Sequence, residues 1–235
     1  MTNCLLASTS TIFGGSYLDY LFDSLRELYI ETDEVLFIPY ARPSGITYDA
    51  YTKIAQEGFS HIDKKIVGIH TFQNPIEAIK NAKGIFTGGG NSFVLVNALY
   101  QYGLTSKIKE VVTYGIPYLG TSAGSNIAGP NIMTTNDMPI VYPPSFETLG
   151  IVPFNINPHY LDPSPSSKHK GETREIRIKE FHVFNTTPVI GLREGSWIRV
   201  QNNEITLKGG NLSARIFENG RKPYELSVES SLNFI

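Results

Sequence analysis

Short apolar runs alternate with longer amphipathic stretches over the first 120 residues of the chain. A short apolar run bounded by turn residues is typical of a buried strand, whereas apolar positions three and four residues apart predict a helix. Strands are predicted at 5–8, 34–39, 65–69, 84–87 and 116–120, and helices at 17–29, 47–57, 74–80, 92–102 and 106–113. This alternation predicts a mostly parallel sheet with helices on both faces, a three-layer α/β/α fold.

The pattern changes after about residue 195, where short apolar runs follow one another without intervening helices. The runs at 197–200, 204–207 and 213–217 predict strands, and they are separated by the turn pairs Asn202-Asn203 and Gly209-Gly210. We therefore predict an antiparallel β appendage over about 197–235, within a single domain that covers 1–235.

Composition and charge exclude several classes of protein. Hydrophobic residues make up 41% of the chain and charged residues 18%, so a core can form and intrinsic disorder is excluded. A net charge of −2 gives no electrostatic reason to expect binding to nucleic acid or to an anionic membrane. The single cysteine, Cys4, excludes an intramolecular disulfide and a cysteine-rich zinc site. No apolar run approaches membrane-spanning length, and the N-terminus does not read as a signal peptide, so we expect a soluble, cytoplasmic protein.

The strongest local motif is Gly120-Thr121-Ser122-Ala123-Gly124, which matches G-x-S-x-G. This motif places a serine on a sharp strand-to-helix turn, where small neighbours let the turn close and let a substrate carbonyl approach. Its position after an apolar run and before a helix-like stretch fits that context. Ser122 is therefore a candidate nucleophile, and the backbone N–H of Ala123 a candidate oxyanion donor; a glycine-rich turn with a capping serine is the alternative.

A second oxyanion donor is expected because one N–H rarely suffices. Gly88-Gly89-Gly90-Asn91 follows the predicted strand at 84–87, and glycines there leave backbone amides uncovered. We predict Gly90 as the second donor and Asn91 as a substrate-binding residue. The same amides would also suit a phosphate, or the run is only a turn, but no Gly-Lys-Ser/Thr follows as in a P-loop.

A serine nucleophile needs a base, and His159 is the best placed histidine. It follows the apolar run at 151–156, so it lies at a strand end, where open α/β sheets gather ligand-binding residues. The other histidines are interpreted as surface or structural residues: His61, His70, His169 and His182. Two acids compete to orient the imidazole, Glu194 after the apolar run at 188–190 and Asp137 in a polar loop, and the sequence leaves both open.

Six segments in order resemble the serine-peptidase family that contains peptidase E, the α-aspartyl dipeptidase, and cyanophycinase. The matching segments are Gly88-Gly89-Gly90-Asn91, Gly120-Thr121-Ser122-Ala123-Gly124, Thr134-Thr135-Asn136-Asp137-Met138-Pro139-Ile140-Val141, Ile156-Asn157-Pro158-His159, Lys170-Gly171-Glu172-Thr173-Arg174-Glu175 and Gly191-Leu192-Arg193-Glu194-Gly195-Ser196-Trp197. Departures from the family pattern are Ser125, Tyr160 and Arg193, and none of them removes a presumed catalytic group.

The resemblance implies a fold similar to class I glutamine amidotransferases, with serine in place of their cysteine nucleophile. It implies hydrolysis of dipeptides with N-terminal aspartate, without a metal or other cofactor, with Ser122 as nucleophile, His159 as base and Asp137 or Glu194 as the third member. An aspartyl side chain is an anion, so its pocket needs a cation, and arginine has the fork geometry for a carboxylate. Arg174 is predicted to bind the aspartyl carboxylate of the substrate, and Arg177 on the same predicted helix is the alternative.

The sequence is also compatible with other functions. A cyanophycinase-like hydrolase of β-aspartyl peptides would need an open groove, and a non-catalytic small-molecule binding module would need no nucleophile–base pair. A glutaminase is disfavoured because Cys4 lies on the first strand, far from the motif. The expected partner is a small Asp-X dipeptide, with no nucleic acid and no membrane, and a homodimer is one option for the assembly.

Overall fold

The computed structural model describes residues 1–163 and 171–233, and these form two β-sheets with flanking helices. His169 and Lys170 lie outside the described residues. The strands are β1 (Asn3–Ala7), β2 (Glu34–Ile38), β3 (Lys65–Gly68), β4 (Ile85–Thr87), β5 (Tyr118–Thr121), β6 (Asn155–Pro158), β7 (Val189–Leu192), β8 (Ser196–Gln201), β9 (Glu204–Gly209), β10 (Ala214–Phe217) and β11 (Tyr224–Leu226).

The seven-stranded sheet has the order β3-β2-β4-β5-β1-β8-β9, and its first five members are parallel. The four-stranded sheet has the order β11-β10-β7-β6, in which β6 and β7 run parallel. The helices are α1 (Phe22–Leu28), α2 (Tyr48–Ser60), α3 (Pro75–Asn81), α4 (Ser92–Gln101), α5 (Thr105–Thr113), α6 (Ala123–Asn126) and α7 (Arg174–Phe184).

The layering follows from the alternation of side chains along each central strand. In β1, Leu5 and Ala7 face a buried cluster with α1 and α2, whereas Cys4 and Leu6 face a second cluster with α3, α4 and α5. The predicted α/β/α arrangement is therefore confirmed. Burial raises the pKa of the Cys4 thiol to about 12, which agrees with its interpretation as a small apolar side chain.

Two regions differ from the sequence prediction. The predicted helix at 17–29 begins with a 3-10 turn at Asp19–Leu21, and α1 starts only at Phe22. The reason is local: Leu18 has a φ of 61°, and the Asp19 carboxylate accepts hydrogen bonds from the backbone N–H of Ser16 and Tyr20, which compete with helical bonding. The predicted appendage is antiparallel but is shared between the sheets, because β8 pairs with β1 and β10 pairs with β7.

The two sheets meet at the carboxyl end of β1. Ser8 is fully buried there; its Oγ accepts a hydrogen bond from the N–H of His159 at 2.8 Å and donates to the carbonyl of Leu192 at 2.7 Å. One hydroxyl therefore joins the central sheet to the ends of β6 and β7. No helix in the described parts of the chain is long and apolar enough to cross a membrane.

Candidate active site

Ser122 occupies a sharp turn between β5 and α6. Its φ of 52° and ψ of −111° lie outside the regions that L residues prefer, a strain that typically costs about 1–3 kcal/mol. The turn also excludes larger neighbours: a β-carbon on Gly120 would lie 2.4 Å from the carbonyl oxygen of Gly124, and one on Gly124 would lie 2.1 Å from that of Thr87. The spacing of small residues in the motif is thus a steric requirement of this turn.

His159 lies between the hydroxyl of Ser122 and the carboxylate of Glu194. The Ser122 Oγ is 2.9 Å from His159 Nε2, and Glu194 Oε1 is 2.6 Å from His159 Nδ1. His159 has a φ of 53°, which the hydrogen bond from its N–H to Ser8 helps to maintain. The geometry is that of a Ser-His-acid chain, in which the acid fixes the imidazole and the imidazole reaches the hydroxyl.

Asp137 lies elsewhere in the same site. Its Oδ2 accepts a hydrogen bond from the backbone N–H of Ser92 at 2.6 Å and lies 3.2 Å from the Thr135 hydroxyl. Ser92 begins α4, so the carboxylate also interacts favourably with the positive end of that helix. Of the two acids that the sequence left open, Glu194 contacts the imidazole and Asp137 forms part of the cleft wall.

Beside Ser122 is a cleft of about 190 Å³, lined by Ser92, Ser122, Ala123, Thr135, Asn136, Asp137, Pro158, His159 and Arg174. Arg174 is half-buried and donates from Nη1 to the Pro158 carbonyl at 3.3 Å. Burial, and then the like charge of Arg177, lower the pKa of Arg174 below its ordinary value, but a guanidinium remains charged at neutral pH. Arg177 is exposed, and its Nε lies 3.9 Å from Oε2 of Glu172. Arg177 does not line the cleft.

The glycine run lies against Ser122. A β-carbon on Gly89 would be 3.0 Å from Ser122 Cβ, and one on Gly90 would be 2.2 Å from the Ala41 carbonyl oxygen, so neither position has room for a side chain. Asn91 caps α4: its Oδ1 accepts from the N–H of Val94 and its Nδ2 donates to the carbonyl of Met138. Asn91 therefore fastens the loop that carries Asp137 and lies outside the cleft lining.

Two features of the site were missed at the sequence level. Ser8 positions the backbone of His159, and the Asn136 amide donates to the same Pro158 carbonyl that Arg174 contacts. Ser8 is the last residue of the first predicted strand, so the expectation that ligand-binding residues gather at strand ends, which selected His159, would also have selected Ser8.

The departures from the family pattern lie outside the cleft lining. Ser125 Oγ is 2.7 Å from the carbonyl oxygens of Ala7 and Gly120, and Tyr160 packs on Phe217. Arg193 forms ion pairs with acids on either side of it, Asp162 and Glu225. They therefore support the elbow and the second sheet rather than the reacting atoms.

Comparison with known families decides the relationship. The model of peptidase family S51 matches residues 4–208, most of the chain. The chain belongs to peptidase family S51. This confirms the resemblance that the six motifs indicated, and with it the prediction of a serine-type peptidase.

Curated S51 relatives match along nearly the whole chain. The protein named "Peptidase E" of Streptomyces coelicolor is 47% identical over 231 residues, which cover 98% of this chain and 93% of the relative. The "Probable alpha-aspartyl dipeptidase" of Drosophila melanogaster is 43% identical over 236 residues, 99% of this chain and 97% of the relative. The crystal structure of a peptidase from an acI-B1 Actinobacterium has the same fold, with a TM-score of 0.73 at 17% identity over 99% of this chain and 96% of that one.

Proposed function

We propose that this S51 peptidase hydrolyses dipeptides with an N-terminal aspartate, by acyl transfer through Ser122. The observation that carries the proposal is a cleft in which a Ser-His-Glu chain stands beside one arginine and one further carboxylate. The names of the relatives, "Peptidase E" and "Probable alpha-aspartyl dipeptidase", support the same substrate class.

In the first half of the reaction, Ser122 Oγ attacks the carbonyl carbon of the aspartyl residue while His159 Nε2 takes the hydroxyl proton. Glu194 holds Nδ1–H, which fixes the tautomer that can accept this proton, and stabilises the imidazolium that forms. The N–H groups of Ala123 and Gly90 hold the negative oxygen of the tetrahedral intermediate. His159 then gives its proton to the leaving amine.

In the second half, water attacks the acyl-enzyme. His159 takes a proton from the water as it adds to the ester carbonyl, and returns it to Ser122 Oγ as aspartate leaves. The same two N–H groups hold the second oxyanion, because attack occurs on the same carbonyl carbon.

Charge complementarity accounts for the choice of substrate. The guanidinium of Arg174 pairs with the side-chain carboxylate of the substrate, for which its planar fork is suited. Asp137 accepts a hydrogen bond from the α-ammonium group of the substrate through Oδ1. This oxygen is assigned because, within residues 1–163 and 171–233, the hydrogen bonds of the carboxylate are made by Oδ2. At about 190 Å³ the cleft is small compared with typical ligand pockets, which favours a dipeptide over a polymer.

The test is a panel of Asp-X, Glu-X, Asn-X, β-Asp-X and Ala-X dipeptides, assayed with and without a chelator. We expect turnover of α-Asp-X that survives chelation and little turnover of the others. Equal turnover of Ala-X, or turnover restricted to β-Asp-X, would contradict the proposal. Loss of activity with the chelator, restored by added metal, would contradict the mechanism.

Arg174→Met is expected to lower the preference for Asp-X over Ala-X by about 10- to 100-fold, since a hydrogen bond to a charged group contributes about 1.5–3 kcal/mol. The measurement is the ratio of kcat/KM for the two substrates. Arg177→Met is the matched control, because it removes an equal charge from the same helix outside the cleft. An unchanged ratio in the folded Arg174→Met variant would remove the assignment.

A further inference from the structure

Tyr51 is a fully packed tyrosine of α2 whose hydroxyl donates to the carbonyl oxygen of Gly89, with 3.2 Å between the two oxygens. Its ring meets Phe37 edge to face, with 5.0 Å between ring centroids, and the Arg42 guanidinium lies 4.6 Å from its centroid. These contacts hold the ring in place, and with it the position of the hydroxyl oxygen.

The Gly88–Asn91 segment is anchored to the backbone at its ends. The N–H of Gly88 donates to the Ile38 carbonyl at 3.1 Å, and the N–H of Asn91 donates to the Ala41 carbonyl at 2.7 Å. Between these anchors, in the part of the chain that the structure describes, the N–H groups of Gly89 and Gly90 donate to no protein acceptor. The peptide between two glycines meets little steric resistance to rotation, so its orientation depends on contacts such as that of Tyr51.

The geometry of the peptide unit links this contact to Ser122. The Gly89 carbonyl and the Gly90 N–H belong to one planar trans peptide, so they point in opposite directions. The glycine segment lies between Tyr51 and the nucleophile: a β-carbon on Gly88 would be 2.6 Å from the Tyr51 hydroxyl, and one on Gly89 would be 3.0 Å from Ser122 Cβ. Holding the carbonyl toward Tyr51 turns the N–H toward the side of Ser122.

We propose that Tyr51 is a positioning residue, whose hydroxyl holds the Gly89–Gly90 peptide so that the Gly90 N–H faces the oxyanion. This rests on the proposed function in one respect, the role of Gly90 as an oxyanion donor. Complete loss of one such donor lowers kcat by about 100- to 1000-fold. A Gly89–Gly90 peptide that is held less firmly keeps part of this stabilisation of the oxyanion. The carbonyl of the bound substrate gains little from the same N–H, so we expect a lower kcat and an unchanged KM.

The test is Tyr51→Phe, which keeps the ring and removes only the hydroxyl. Tyr29→Phe is the matched control, because the Tyr29 hydroxyl is also buried and donates to a backbone carbonyl, that of Ile85 on β4. We measure kcat and KM on an Asp-X dipeptide, the urea midpoint of unfolding, and the rate at which a fluorophosphonate labels Ser122. In labelling, Ser122 Oγ displaces fluoride from phosphorus, its proton passes to His159, and the phosphoryl oxygen needs the same N–H donors.

We expect Tyr51→Phe to lower kcat and the labelling rate by about 10- to 100-fold with KM unchanged, and Tyr29→Phe to change neither by more than about twofold. Labelling rates in Tyr51→Phe equal to those in Tyr29→Phe would overturn the proposal, whatever the substrate. If the unmodified protein is labelled quickly and Tyr51→Phe slowly, but neither turns over any Asp-X dipeptide, the positioning role of Tyr51 is upheld and the proposed substrate is overturned.

Discussion

Ser122→Ala is expected to abolish turnover of Asp-X dipeptides, with kcat lowered by about a million-fold. The substitution removes the oxygen that we propose as the nucleophile, and with it the hydroxyl contact to His159 Nε2 at 2.9 Å. Alanine keeps the β-carbon and adds no atom to the turn, so we expect the fold to be unchanged. The measurements are release of the free amine with time, and circular dichroism with urea unfolding.

The control for this variant is Ser125→Ala, which removes a buried hydroxyl three residues further along the same turn. Ser125 Oγ contacts the Ala7 and Gly120 carbonyls rather than the cleft, so the control reports what the loss of a buried hydroxyl does to the elbow alone. If Ser122→Ala retained turnover within about tenfold of the unmodified protein, Ser122 would not be the nucleophile.

Glu194→Gln is expected to lower kcat by about ten-thousand-fold, the second-largest effect. The carboxylate 2.6 Å from His159 Nδ1 accepts a hydrogen bond and stabilises positive charge on the ring, whereas a glutamine amide has no charge and can donate to Nδ1. A ring that accepts at Nδ1 carries its proton on Nε2 and cannot take the proton of Ser122. The size and shape of the side chain stay the same.

Asp137→Asn provides the comparison. Asparagine can still accept the Ser92 N–H, so the fold of the loop should survive, but the negative charge that we assign to the α-ammonium of the substrate is lost. We expect a rise in KM and a fall in kcat/KM of about 10- to 100-fold, with a smaller change in kcat. Both variants are compared at matched folding. A larger loss of kcat in Asp137→Asn than in Glu194→Gln would reverse the two roles.

The sequence could predict the central layers because their signals are local. Apolar runs predicted β1 to β5 to within two residues at each end. Thr47 and Asn74 cap α2 and α3 through their side-chain oxygens, as such residues do at helix starts. The late start of α1 depended on two backbone bonds to Asp19, which no periodicity reveals. The single-domain extent, the cytoplasmic location and the homodimer option stay predictions.

The site was predictable only where one segment carries the chemistry. The flanking glycines of the G-x-S-x-G motif mark Ser122 as a candidate, and the position after an apolar run marks His159. The choice between Glu194 and Asp137 depends on which strands lie side by side. In the structure Pro158 of β6 pairs with Leu192 of β7, which brings the residues just beyond them together. Tyr51 was missed for a similar reason, since its partner is a backbone carbonyl 38 residues away.

The two side chains of the Ser122–His159 contact come from segments that follow different sheets. Ser122 follows a strand of the seven-stranded sheet, while His159 and Glu194 follow strands of the four-stranded sheet, and the Ser8 hydroxyl connects the two. A sliding movement of about 1 Å between the sheets would separate oxygen from nitrogen while leaving every strand pair intact, and misplacement on that scale can cost about a hundredfold in rate. Mutations remote from the cleft can therefore lower the activity of this protein without unfolding it, by changing the relative position of its two sheets.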